Sequence, residues 1–133
     1  MTRKLELWLV VLIALHTLGI GVALLALPEW ALRFGGWRAI PPLFFPRQAG
    51  VFHLVLGTGY LFEYFRLRSV ALLVVAKACG AAFLLVATAV IAVPWFVTFA
   101  GVGDGLMGLS VLVVHRWLAR VPGSRPPVPP AAV

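Results

Sequence analysis

Residues 70–117 read VALLVVAKACGAAFLLVATAVIAVPWFVTFAGVGDGLMGLSVLVVHRW. Two long apolar runs meet here at one break, Pro94. A run of about 18 or more apolar residues is the mark of a membrane-crossing helix. Strands are excluded, because an open strand leaves its backbone groups unpaired in lipid. Pro94 ends the first helix and sits well at the start of the next. The stretch is therefore a hairpin of two spans. Each span holds an ionisable residue deep inside, Lys77 in one and Asp104 in the other. Such groups are costly in hydrocarbon and rarely lie there without a partner or a role.

The same pattern extends upstream. A first run covers residues 5–27 and stops at Pro28, and another follows Pro46 over residues 47–65. With residues 70–93 and 95–117 this makes four candidate spans, each roughly 19 to 25 residues, enough to cross a hydrocarbon core. The first run has a basic start like a leader peptide, but its apolar part is too long for a typical one, so it reads as a retained span. The predicted fold is all-α: one integral-membrane, antiparallel four-helix bundle over residues 1–120. A Pro-rich tail, residues 121–133, is expected to be extended or disordered.

Composition agrees. The 133-residue chain is 62% hydrophobic and only 11% charged, with a mean hydropathy of +1.05. So little polar surface could not cover a soluble domain. The net charge of +7 raises nucleic acid as a partner. The basic residues, however, cluster at the ends of the runs, where lipid headgroups lie, and form no basic face on a soluble segment. Lipid is the expected partner and nucleic acid is not. Cys79 has no second cysteine to pair with.

Arg and Lys also set the orientation. Arg3, Lys4, Arg66, Arg68, Arg116, Arg120 and Arg125 fall on one side; only Arg33, Arg38 and Arg47 fall on the other. The richer side should be cytoplasmic, which puts both termini inside the bacterial inner membrane. Trp8 and Trp117 mark one surface, and Trp30, Trp37 and Trp95 the other. The longest loop, residues 28–46, is rich in aromatics and predicts a short interfacial helix before Gly35.

His16 and His53 complete a set with Lys77 and Asp104, one group per run. At about 1.5 Å per residue, all four lie roughly 11 to 20 Å from the cytoplasmic helix ends, in one central slab. Each has small residues at helical spacing: Gly19 beside His16, Gly50 and Gly57 beside His53, Gly80 beside Lys77, and Gly101 and Gly108 beside Asp104. Gly101 and Gly105 also form a GxxxG pair. Small residues mark close helix contacts, so these polar groups are expected to point inward, with Tyr60 extending the stripe on the second span.

Several chemistries fit that set. A Lys77–Asp104 ion pair satisfies both groups; Lys77 could instead reach toward Glu63 at the cytoplasmic surface. GVGDGLMG could pack tightly, or unwind so that Asp104 and freed carbonyls hold a cation. His16 and His53 could ligate one haem b, or with Asp104 a metal ion, although no local ligand spacing exists. A nucleophile elbow is absent and Ser110 has no distinctive surroundings, so no classical hydrolase chemistry is visible and the sequence leans away from an enzyme without deciding the point. The primary expectation is a small accessory or ligand-binding protein whose buried polar site takes a proton or a small head such as a quinone's. The alternatives are a haem b or quinone-linked electron-transfer subunit, and a proton or ion pathway from His53 past Asp104 and Lys77 to Glu63.

The segment RQAGVFHLVLGTGY, Arg47 to Tyr60, has the character of a family motif. Taken with the short termini, four spans and longer first outward loop, the plan resembles that of the small bacterial four-span DoxX-like proteins. The resemblance covers the whole chain at the level of topology and carries over no functional residue. It implies an accessory membrane subunit, sometimes linked to redox or quinone-related partners. Apart from the resemblance, other membrane subunits or a second copy of the chain are the expected protein partners.

Overall fold

A computed structural model describes residues 3–120. The Pro-rich segment 121–133 lies outside the described residues. Among the described residues every regular element is helical: α1 (Arg3–Ala26), α2 (Pro28–Phe34), α3 (Phe44–Phe62), α4 (Ala71–Val90) and α5 (Trp95–Arg120), with a π-helical turn, Glu63–Leu67, closing α3.

Local chemistry sets the breaks. Pro28 cannot continue α1 and instead opens the short α2. Gly36, at φ 93°, turns the chain out of α2 in a conformation that side chains disfavour. A Cβ at Gly36 would also stand 2.8 Å from Trp95 Cδ1, so this loop rests on the start of α5. At the other end, Arg68 takes a left-handed conformation, φ 54° and ψ 31°, to reverse the chain between α3 and α4. There Glu63 accepts from Ser69 Oγ at 2.9 Å and from the Leu72 N–H at 2.9 Å. Glu63 therefore caps α4 and does not receive Lys77. The third apolar run is only helical as far as Val90; Ile91 is already extended. A residue just before proline resists the α conformation, and the helix stops short of Pro94 for that reason.

The helices pair as two antiparallel hairpins, α1 with α3 and α4 with α5, and the hairpins touch each other less closely. Their shared core gathers Val10, Ile13 and Ala14 of α1, Tyr60 of α3, Leu73 of α4 and Val111 of α5. It lies toward the end that carries the N-terminus. Toward the far end the buried positions on facing helices are largely glycine: Gly21, Gly50 and Gly101.

The outer surface is apolar. Phe52, Phe83, Phe99, Leu106 and Val113 all stand exposed, Phe83 by 72%. Three helices, α1, α4 and α5, are long and apolar enough to cross a membrane. The second predicted span, α3, is not among them. Arg47, Gln48 and His53 lower the hydropathy of its first half.

Candidate functional site

The centre of the assembly is a reciprocal arrangement across α4 and α5. A Cβ on Gly108 of α5 would stand 3.1 Å from Lys77 Cβ, and a Cβ on Gly80 of α4 would stand 2.9 Å from Asp104 Oδ2. Each charged residue thus faces a glycine on the other helix. The backbones can approach closely there, and both side chains fit between them. Lys77 Nζ donates to Asp104 Oδ1 at 2.6 Å. The Lys77 side chain is 7% exposed and that of Asp104 22%. A charge-assisted bond of this length is the strong kind, and it satisfies two groups that would be costly to leave unpaired among packed helices. α5 runs unbroken through Asp104, so the unwound cation-binding form of GVGDGLMG is not what the chain adopts.

The seam around the pair follows the glycines. Gly101 packs on Leu84 and Leu85, and Gly105 lies more loosely against Ala81. On the other hairpin, Gly50 meets Gly21 and Gly57 meets Ala14 and Leu18. Gly19 packs on nothing; its expected place in the seam is taken by Gly21. The buried stripe of α1 is Glu6, Val10, Ile13, Ala14, Thr17 and Gly21, and Gly19 lies off it.

His16 is displaced for the same reason. Thr17 occupies the inward position, its Oγ1 donating to Ile13 O at 2.9 Å, and His16 one residue earlier lies on an exposed flank. The expectation that His16 points inward is corrected accordingly. It stays within electrostatic reach of Lys77, Asp104 and His53. His53 is half-buried, with Nδ1 2.7 Å from Ala49 O. A carbonyl only accepts, so Nδ1 carries the proton and Nε2 of the neutral ring is left as an acceptor. Tyr60 is 2% exposed and lies within electrostatic reach of Asp104. No described residue hydrogen-bonds its hydroxyl, yet that oxygen is not sealed from a probe, so it borders open space. Asp104 Oδ2 likewise has no hydrogen-bond partner among the described residues. No group of three or more His, Cys, Asp or Glu side chains lies close enough among them to hold a metal ion. The set of His16, His53 and Asp104 does not assemble as one.

A second polar layer lies nearer the N-terminal end, formed by residues that the reading of the apolar runs passed over. His115 Nδ1 of α5 lies 2.5 Å from Glu6 Oε1 of α1, and Tyr64 is buried within reach of the same carboxylate. The Glu6 side chain is 10% exposed and that of His115 38%. The pair ties the two hairpins together where α1 meets α5. The signal in the sequence was the matched depth of an acid near the start of one run and an imidazole near the end of another. A double-mutant cycle with Glu6→Gln and His115→Ala is expected to give a coupling of about 1 kcal/mol, as for a partly exposed hydrogen-bonded ion pair. Additive losses in detergent unfolding would show that the two side chains do not interact.

Val10, Leu73 and Val111, all fully buried, separate this layer from the central one. Comparison with protein families, curated proteins and solved structures gives no match. The chemistry of the site must therefore carry the functional reading. The central layer offers a hydroxyl donor on Tyr60, a free carboxylate oxygen on Asp104, an imidazole acceptor on His53 and an ammonium on Lys77.

Proposed function

We propose that the chain is a four-span antiparallel bundle of the bacterial inner membrane, with both termini cytoplasmic. In this reading its central site binds the polar head of a small membrane-soluble ligand of the quinone type. The protein would serve as an accessory subunit beside membrane redox partners, which is also what the likeness to DoxX-like proteins implies. The three long apolar helices and the outward Phe, Leu and Val side chains support the bilayer setting. α3 supports the fourth span, since it runs antiparallel along α1 from Gly50 against Gly21 to Gly57 against Ala14 and so shares its depth. The orientation rests on the exposed Arg66, Arg68, Arg116 and Arg120 at one end.

The observation that carries the ligand reading is the unpartnered Tyr60 hydroxyl in an otherwise buried residue, within electrostatic reach of Asp104, whose Oδ2 is also without a described partner. A ligand group that accepts from this hydroxyl adds a net hydrogen bond of about 0.5–1.5 kcal/mol. A quinone carbonyl accepts from Tyr60, and the hydroxyl of the reduced form donates to Asp104 or to His53 Nε2. Haem b is less well supported, because it needs both imidazoles at one cavity and His16 lies on an exposed flank. A proton pathway is also less well supported. The Val10–Leu73–Val111 layer closes the cytoplasmic side, and Glu63 is engaged in capping α4.

Mass spectrometry of lipids co-purifying with the full chain tests the reading. A quinone-type lipid should be enriched with the native protein and reduced at least fivefold, on the order of one lost hydrogen bond, in Tyr60→Phe and in Asp104→Asn. No enrichment, or enrichment indifferent to both substitutions, would overturn it. A Soret band in the purified protein would replace quinone with haem.

A further inference from the structure

A second site lies at the opposite end of the helices, remote from the Lys77–Asp104 pair. Where α1 ends, α2 and the start of α3 border an open cleft of about 470 Å³. Leu27 and Leu43 give it apolar walls, Trp30 stands at its rim, and two guanidinium groups line it, Arg33 from α2 and Arg47 from α3. We infer that this cleft binds the phosphate of an anionic phospholipid, with Arg33 and Arg47 on the phosphate and the apolar walls under the glycerol and first acyl carbons. The inference rests on the bilayer reading of the chain but not on the central site.

Charge placement is the first argument. This end should be poor in basic residues by the rule that orients membrane proteins. It has Arg33, Arg38 and Arg47, and two of these converge on one cleft from different helices. Neither Arg33 nor Arg47 forms an ion pair or side-chain hydrogen bond with a described residue, although Glu29 lines the same cleft. Both are exposed, so their charge is available. Arg47 also lies in the first turn of α3, where the helix dipole disfavours a cation, and a bound anion offsets that conflict.

Chemistry and depth select the ligand. Two planar guanidinium forks match the oxygens of a phosphate. Trp30, Phe34, Phe44 and Phe45 are exposed around this end and mark the level at which headgroups lie. A free phosphate would use the arginines and leave Leu27 and Leu43 uncovered, whereas a phospholipid covers both halves.

The test is native mass spectrometry of the full chain in detergent, titrated with phosphatidylglycerol or with phosphatidylcholine. The tightest phosphatidylglycerol adduct should exceed the phosphatidylcholine one. It should weaken roughly tenfold in Arg33→Gln/Arg47→Gln, on the scale of one lost bidentate charge-assisted contact. Arg66→Gln/Arg120→Gln, at the other end, and Tyr60→Phe, in the central site, should keep it. Circular dichroism establishes that each variant is folded. Equal binding of the two lipids, or an adduct indifferent to the Arg33 and Arg47 changes, would overturn the inference. Loss in Tyr60→Phe as well would assign the adduct to the central site and do the same. Complete displacement by millimolar inorganic phosphate would overturn the lipid assignment in favour of a simple anion site.

Discussion

Lys77→Met is expected to destabilise the folded chain by about 3 kcal/mol, while Lys77→Met combined with Asp104→Leu recovers most of that loss. Lys77 is buried between α4 and α5, and its ammonium is the hydrogen-bonding partner of Asp104 Oδ1. Removing it alone leaves a carboxylate in a low-dielectric seam, which must either stay charged at high cost or take up a proton. Protonation limits the loss, so the figure stays near the lower end for a broken buried pair. Asp104→Leu alone should cost at least as much, because the Lys77 side chain is only 7% exposed and its ammonium loses the carboxylate that pairs it. The double variant strands neither charge. Unfolding in mixed detergent micelles reads all three. If the double variant is as unstable as the sum of the singles, the pair is not the source of the loss. The same proteins separate structure from function: a stable double variant that no longer enriches the quinone-type lipid assigns the pair a role in the site beyond holding the helices.

Much of the pair was legible in the sequence, for a definite reason. Lys77 and Asp104 are opposite charges at comparable depth on consecutive apolar runs, and such runs leave few other ways to satisfy them. The glycines beside them were legible too, because a helix period of 3.6 residues places Gly80 and Gly108 on the same faces. What the sequence hid was azimuth and company. His16 and Thr17 differ by 100° around α1, and in a run that is apolar on every side nothing local decides which faces inward. The hydrophobic contrast that orients a soluble helix is missing when lipid and core are equally apolar. Gly19 and Gly21 were exchanged by the same ambiguity. Glu6 and His115 were hidden by position, since ionisable residues near span ends read as interfacial until the helices that carry them are known to touch.

Gly50→Ala should produce the other large effect, a loss of about 2–3 kcal/mol at the crossing of α1 and α3. A methyl group there would stand 2.8 Å from Gly21 O and 2.9 Å from the Leu25 nitrogen. Both obstacles are backbone atoms inside a continuous helix, so no rotamer change relieves them and the helices must separate. Gly57→Ala tests the distinction. Its nearest obstacle, at 2.7 Å, is the Leu18 side chain, which can move aside, although Ala14 O at 3.1 Å sets a limit. Its cost should be visibly smaller. Gly19→Ala meets nothing within 4 Å and should be neutral or slightly stabilising, as alanine is the better helix former. The order Gly50 > Gly57 > Gly19 in detergent unfolding is therefore the expected result, and a Gly19 variant as damaging as Gly50 would contradict the packing of α1 on α3. The effect reaches the central site as well. His53 lies one turn beyond Gly50 and Tyr60 two turns beyond His53 on α3, so separating α3 from α1 shifts an imidazole and a hydroxyl of the proposed site. Gly50→Ala should thus weaken ligand retention even though it removes no polar group, and Gly19→Ala should leave retention unchanged.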